Sequence, residues 1–406
     1  MAGRSIGELL DSVGVPTPAY VYDLGAMADE ARELSDGFGG QRFLIAYAVK
    51  ANTAGSVLRT LVDEGCGAEV GSAGELAVAQ GAGVAPDRVL LSGMAKSIDA
   101  LDRAIGAGSE GILAIQVDAV GELATIAARA RAIGRVGRVA LRLNPGVLAD
   151  THEAIATGHD DAKFGIALDD VGAALGALEA TAGALKLVGV GGHVGSQLTR
   201  LDDYLDGARP LLDVAASLRG LEFVDLGGGF GIDYGAGCPV RPRDFANAAT
   251  RLVRERLGSA LTLVVEPGRS LVGPHGALVA SAVARKVSGA RRWLVLDAGM
   301  TDLLRPALYG ARHRIEPLDA LPVEETQGWR VVGPVCESTD DFGEYPLGDA
   351  PPERVVIRDA GAYGFTMASQ YNGRSLPTEV FLHPSGTVTV SRAGAEGEWV
   401  RERLGA

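Results

Sequence analysis

The sequence predicts a (β/α)8 barrel joined to a second, mostly β domain. Two observations predict the barrel. Eight short runs, nearly apolar throughout and rich in β-branched residues, fall within about 225 residues, and helical-looking segments separate them. Strands buried on both faces and joined by helical crossovers belong to a parallel sheet. Eight such units at this length suit a closed barrel, for which about 250 residues is typical; an open doubly wound sheet is the alternative. The third observation is a change of pattern after about residue 275, where short strands alternate with Gly/Pro-rich turns and few helical stretches remain.

The chain opens with PAYVYDL (18–24), a strand that precedes the barrel pattern and is expected to pair into the C-terminal β domain, tying the chain ends together. The barrel strands follow as FLIAYAVK (43–50), GAEVGS (67–72), RVLLSG (88–93), GILAIQVD (111–118), RVALRLNP (138–145), LVGVGGHVG (187–195), FVDLGGGF (223–230) and LTLVVEPGR (261–269). Between them, VLRTLVDEG, ELAVAQGAG, SIDALDRAIGAG and AVGELATIAARARAIG carry the helical period and often close on Gly. Beyond them RRWLVLDAG, WRVVGPVC, ERVVIRDAG, TEVFLHPSG and TVTVSRAG read as strands of the β domain. The expected layout is an N-terminal segment 1–30 joining the β domain, a barrel over 31–275 and the β domain over 276–406.

Composition excludes several classes of function. With 47% hydrophobic and 22% charged residues the chain has material for a large core. A net charge of −13 without any Lys/Arg-rich run argues against nucleic acid or an anionic membrane as partner. The first twenty residues lack the apolar core and cleavage site of a signal peptide, and no stretch approaches the roughly 20 apolar residues of a membrane helix. Cys66, Cys238 and Cys336 are odd in number and widely spaced, which fits a reducing, cytoplasmic setting.

Chemistry in such barrels sits at the C-terminal ends of the strands. Those ends carry Lys50, Glu69, Ser92, Asp118, Arg142 with Asn144, His193 with Ser196, Gly227 to Gly229, and Glu266 with Arg269. Only five of the 38 basic residues are lysines, so Lys50 at the end of an apolar run in an arginine-preferring chain stands out. Taken singly, each has a bland explanation: a solvated lysine, a core histidine, a tight glycine turn, a local Glu–Arg pair. Taken together they point to an amine able to attack a carbonyl and a glycine triplet where a phosphate can approach backbone N–H groups. The one GxGxxG, Gly106 to Gly111, follows a helix and precedes a strand, the reverse of a dinucleotide fingerprint, and no HExxH or paired-Cys spacing suggests zinc.

A reactive lysine amine is expected in a desolvated pocket, where burial lowers its pKa and favours a Schiff base with a carbonyl. With a phosphate cradle nearby, pyridoxal 5′-phosphate (PLP) is the economical cofactor. Glu266 beside a pyridine nitrogen would keep it protonated and so keep the ring an electron sink. That suits decarboxylation, whereas an arginine there would suit a racemase.

YAVKAN (47–52), GGHVGSQ (191–197), GGGFGIDY (227–234), EPGRS (266–270), RPALYGARH (305–313), CES (336–338) and DAGAYGFTMASQYNGR (359–374), with THEAIATGHDDAKFGI (151–166), resemble the fold-type III PLP-dependent decarboxylases over essentially the whole chain. The match is nearest to the branch acting on diaminopimelate. The resemblance implies a homodimer with shared active sites, and the following roles. Lys50 carries the cofactor as a Schiff base, His193 stacks on the ring and Glu266 holds its nitrogen. Ser196, Gly228, Gly229, Gly268, Arg269 and Tyr371 surround the phosphate. Arg269, Arg305 and Tyr309 grip the distal carboxylate of an amino-acid substrate, Glu337 takes its distal ammonium, with Tyr371 beside them, and Cys336 returns a proton to Cα. A site with both Arg305 and Glu337 matches meso-2,6-diaminopimelate, decarboxylated to L-lysine in the last step of lysine biosynthesis. The TDDFGE stretch after CES departs from many members, so carboxynorspermidine, ornithine or lysine, and secondary-metabolite precursors are the alternative substrates. A racemase or a non-catalytic regulator of the same fold are the competing classes; the acid of EPGR and the presence of both Lys50 and Cys336 argue against them.

Overall fold

The computed structural model describes residues 5–146, 163–238, 240–318, 328–350, 352–392 and 394–405. Its strands are β1 (Ala19–Asp23), β2 (Phe43–Ala48), β3 (Gly67–Val70), β4 (Val89–Leu91), β5 (Ala114–Val117), β6 (Gly137–Asn144), β7 (Ile166–Ala167), β8 (Leu185–Gly192), β9 (Phe223–Gly228) and β10 (Thr262–Glu266), then β11 (Gly276–Ser288), β12 (Arg291–Leu296), β13 (Ile315–Pro317), β14 (Trp329–Val332), β15 (Asp341–Tyr345), β16 (Arg354–Ile357), β17 (Thr378–Leu382) and β18 (Val388–Ser391). The chain divides into two compact units, one of residues 28–232 with 238–270, the other of residues 1–27 and 271–406 together with Asp233–Gly237.

The first unit is the barrel. Its strands run in the order β5, β4, β3, β2, β10, β9, β8, β6, all parallel, and β6 pairs back with β5 to close the sheet; β7 adds a short pairing to β6. All eight expected strands are present, and the doubly wound alternative is excluded by closure. Leu44 and Ala46 of β2, Leu90, Ala114, Ala140, Val188, Phe223 and Val264 form one packed apolar cluster. Because side chains alternate along a strand, these residues mark one face, the barrel interior. Phe223 fills it opposite Gly189, where a Cβ would lie 2.3 Å from the ring.

The same alternation places the polar residues. Ser92, Gln116, Arg142, Asp225 and Glu266 each follow one of these apolar residues by two positions, and Glu69 follows Gly67, the register partner of Ala46, in the same way. A polar ring therefore caps the apolar plug at the C-terminal end of the strands. Glu69, Ser92, Gln116 and Asp225 are buried.

The second unit is a β sheet in the order β15, β14, β12, β11, β1, β17, β18, with β16 on β11 and β13 on β16. β1 sits centrally, antiparallel to β11 (Ala19 opposite Val279) and parallel to β17 (Ala19 opposite Thr378), as its sequence placement anticipates. The helix Ile6–Val13, started by a Ser5/Glu8 capping box, lays Ile6, Leu9 and Leu10 on Val21, Val279, Val356 and Val380. The sequence reading does not anticipate β11, β13 or β15. β11 is long because its buried first half pairs with β1 and β16 while its exposed second half forms a hairpin with β12.

Candidate active site

The apolar run of β2 ends at Ala48, and a 3-10 turn (Val49–Ala51) carries Lys50 beyond the strand. Its side chain is 57% exposed, with the ammonium 3.2 Å from Oε2 of buried Glu69. The turn carries the side chain past the strand end, beside the carboxylate of the neighbouring strand.

β8 ends at Gly192, so His193 is the first residue past it. Its Nδ1 accepts the backbone N–H of Gly228 at 3.2 Å, which leaves the ring proton on Nε2. Burial first, then the positive charges of Lys50 and Arg142, push its pKa down to about 3, so the imidazole is neutral at physiological pH. The glycine turn makes this approach feasible. Gly227 (φ +67°) and Gly229 (φ +86°) are left-handed, and a Cβ would fall 2.5 Å from the Gly192 carbonyl at one and 2.0 Å from the Gly195 carbonyl at the other.

Glu266 ends β10 in the polar ring. Its Oε1 accepts from Gln116 Nε2 at 2.8 Å, and the same amide donates to Asp225 Oδ2 at 2.7 Å. Asp225 Oδ1 takes the backbone N–H of Gly227 at 2.9 Å. Burial raises both carboxyls, Asp225 to about 6 and Glu266 well above its ordinary value. The charges of Asp225 and Glu69 add to the rise at Glu266, and Lys50 opposes it. After Pro267 and buried Gly268, Arg269 opens a short helix, Arg269–Val272; it is buried, and one guanidinium nitrogen donates to Ser196 Oγ at 2.9 Å. The hydroxyl of Ser270 beside it is buried without a hydrogen-bond partner. Lys50, His193, Ser196, Gly228, Gly229, Glu266, Gly268 and Arg269 thus come to one end of the barrel.

These residues fit PLP on their own chemistry. Lys50 offers an amine for a carbonyl, the Glu266 carboxyl offers a partner for a basic ring nitrogen, and Arg269, Ser196 and Ser270 offer a cation and hydroxyls for a phosphate.

The β unit holds the other candidates. Arg305 starts the short helix Arg305–Tyr309 and is 7% exposed. Its guanidinium bonds His313 Nε2 at 2.8 Å and lies 4.8 Å from the centre of the Tyr234 ring. Since an arginine only donates, Nε2 accepts, and His313 Nδ1–H donates to the Arg358 carbonyl at 2.9 Å. Tyr309 ends that helix, half-buried. Cys336 is exposed and Glu337 follows it; Tyr371 donates its hydroxyl to Glu337 Oε1 at 2.6 Å. That bond, the Glu337 charge and the neighbouring Cys336 raise the phenol pKa. The loop is held by buried Asp340, which accepts from the backbone N–H of Met300 (2.6 Å) and Val335 (2.7 Å). Asp341 pairs with Arg330. Asp340 and Asp341 of TDDFGE are thus engaged within their own unit. Of THEAIATGHDDAKFGI, residues 151–162 lie outside the described residues.

Gln116, Asp225, His313, Tyr234 and Asp340 were not singled out from sequence. The signal for the first two was present: a polar side chain two residues past an apolar one on an interior-facing strand. Among the described residues no group of three or more His, Cys, Asp or Glu is placed to hold a metal, and no helix is long and apolar enough to cross a membrane.

A barrel whose strand ends gather a lysine, a buried acid and a phosphate-type donor set defines a pyridoxal-phosphate enzyme. Residues 24–273 match the model of the pyridoxal-dependent decarboxylase family, pyridoxal binding domain. The chain is 36% identical to the diaminopimelate decarboxylase of Zymomonas mobilis over 95% of this chain and 92% of that protein. It is 37% identical to that of Pseudomonas aeruginosa, over 96% and 93%. The crystal structure of diaminopimelate decarboxylase from Helicobacter pylori complexed with L-lysine superposes with a TM-score of 0.89 at 34% identity, covering 98% of this chain and all of that one. A lysine/ornithine decarboxylase from Vibrio vulnificus, at 22% identity and TM-score 0.77, shares the fold. The chain belongs to the pyridoxal-dependent decarboxylases, and its cofactor is PLP.

Proposed function

We propose that the chain decarboxylates meso-2,6-diaminopimelate to L-lysine and CO2, the last step of lysine biosynthesis, as a cytoplasmic homodimer. The observation that carries the substrate is Arg305: a buried guanidinium, set in orientation by His313 and Tyr234, in a unit that also presents the Glu337 carboxylate. A diamine-forming substrate needs only an acid for its distal ammonium; diaminopimelate brings a distal carboxylate as well, which a guanidinium binds in bidentate fashion. The names of the full-length relatives support the same substrate.

When bound through Lys50, the cofactor supplies an electron sink for the pair released as the Cα–carboxylate bond breaks. Glu266, its carboxyl raised by burial, would partner the ring nitrogen, and neutral His193 would offer a flat face without adding a competing cation. Ser196, Gly228, Gly229, Gly268 and Arg269 bind phosphate oxygens, with Tyr371 as a further donor. Arg305 and Tyr309, with Arg269, orient the distal carboxylate, and Glu337 takes the distal ammonium. As CO2 leaves, Cys336 Sγ–H gives its proton to Cα, so one C–C bond is exchanged for one C–H bond. In the proposed dimer the Cys336–Glu337 loop of one copy completes the barrel mouth of the other.

The test is a substrate panel on PLP-loaded protein, following CO2 and the amine product from meso-diaminopimelate, ornithine, lysine, arginine and carboxynorspermidine. Lysine formed from meso-diaminopimelate alone is expected. CO2 from another amine, with none from meso-diaminopimelate, overturns the substrate.

A further inference from the structure

The polar ring contains a feature that the roles above leave unused. One amide, Gln116 Nε2 at the centre of β5, donates to two carboxylates on different strands, Asp225 Oδ2 at 2.7 Å and Glu266 Oε1 at 2.8 Å. Gln116 and Asp225 are buried. Asp225 is fixed from its other side by the Gly227 amide at 2.9 Å, so it ties the glycine turn to the acid that ends β10. Only an amide nitrogen has two N–H groups to face two carboxylates, which fixes the Gln116 orientation as well. Placing a second carboxylate this near the first in a dry site is unfavourable unless a positive partner repays it.

We propose that Gln116 and Asp225 are positioning residues that act through Glu266: they hold its carboxylate and supply a second negative charge, which together keep the cofactor's ring nitrogen protonated. This holds only if Glu266 meets that nitrogen, as proposed above.

The surroundings support it. Glu266 feels the charges of Asp225 from β9, Glu69 from β3 and Lys50; Asp225 feels Glu69 and Arg142 of β6. Tyr204, reaching in from the helix Leu201–Ser217, has its phenol pushed up, first by burial and then by both acids. Burial and the surrounding charges raise both carboxyls, so the pair takes up a proton more readily than an isolated surface acid. A basic ring nitrogen held beside Glu266 would be kept protonated by the pair, with Gln116 donating to each carboxylate.

The test uses holoenzyme loaded with PLP carrying 15N in its ring, whose nitrogen chemical shift reports protonation directly, titrated against pH in wild type, Glu266→Gln, Asp225→Asn and Gln116→Leu. Asp225→Asn is expected to lower the ring midpoint by about 1–3 units, the shift one nearby opposite charge produces. Gln116→Leu should shift the signal in the same direction, because carboxylates stripped of their donor take the proton back from nitrogen. In both variants kcat falls while KM holds. If Glu266→Gln moves the nitrogen signal but neither Asp225→Asn nor Gln116→Leu does, the positioning role is overturned and Glu266 keeps its place. If Glu266→Gln leaves the signal unmoved, the placement of Glu266 fails and the positioning role falls with it. Gln116→Leu removes no charge and keeps side-chain volume, so it decides the matter should Asp225→Asn not fold.

Discussion

Replacing Arg305 by Met should separate substrate recognition from cofactor chemistry. Arg305 is buried, hydrogen-bonded to His313 and stacked over Tyr234. If it binds the distal carboxylate, its loss strands a desolvated carboxylate, at a cost of about 3–5 kcal/mol. At 1.4 kcal/mol per tenfold, that is a fall of roughly two to three and a half powers of ten in kcat/KM for meso-diaminopimelate. Substrates ending in an amine alone should gain relative to it, since they no longer face a second cation. The fold cost should be modest: His313 Nε2 loses its donor, about 1–3 kcal/mol, while Met fills much of the volume. The assay is kcat/KM for meso-diaminopimelate and ornithine, with the absorbance of the lysine-bound cofactor and Tm as controls. A kcat/KM for meso-diaminopimelate within twofold of wild type, with the cofactor spectrum intact, would refute contact between Arg305 and substrate.

Four further outcomes are expected. Lys50→Ala abolishes turnover and the lysine-bound cofactor absorbance, whereas Cys336→Ala slows turnover and leaves that absorbance in place; a lost spectrum in the cysteine variant would make Cys336 structural. Glu379, buried with Tyr22 donating to it at 3.1 Å, has its pKa raised by burial to about 7. Its contribution to stability is therefore full below the unfolded value near 4.5 and is lost as pH rises through 7, so Glu379→Gln should stabilise by up to about 3 kcal/mol at pH 8 and by nothing at pH 4.5. Equal Tm gains at both pH values would contradict the burial assignment. Gly333→Ala would put a Cβ 2.3 Å from both Asp340 carboxylate oxygens. Asp340 must then leave the Met300 and Val335 amides, costing about 1–3 kcal/mol for each left without a partner. Turnover should fall with the cofactor spectrum unchanged, and a wild-type kcat would show that Asp340 does not govern the Cys336 loop.

The barrel was legible because parallel strands buried on both faces announce themselves as apolar runs, and all eight did. β15, DFGEY, could not be read this way: an acid, a glycine and a second acid in five residues have weak strand preference, and only pairing with β14 makes them extended. β11 hid for another reason. Its alanine-rich sequence gives no alternation, since five consecutive residues are buried and the last six are exposed.

The site was legible where a residue type was out of place and illegible where geometry alone gives it meaning. Lys50 stood out against an arginine-rich chain, yet the run's end told nothing of Glu69 on the next strand, which lies 3.2 Å from its ammonium. Gln116 and Asp225 lay within quoted strands and passed as parts of them. Counting in twos from Ala114 and Phe223 places both on the interior face, and a carboxylate there is costly enough to demand a partner. What sequence could not supply is the register, which sets one glutamine amide between two acids rather than beside either alone. The distinction has a chemical consequence. A lone Glu266 would be raised by burial and the charge of Glu69 alone. In the pair, burial comes first and the charge of Asp225 adds to it at Glu266, while one glutamine amide donates to both acids, an arrangement set by the barrel's strand spacing.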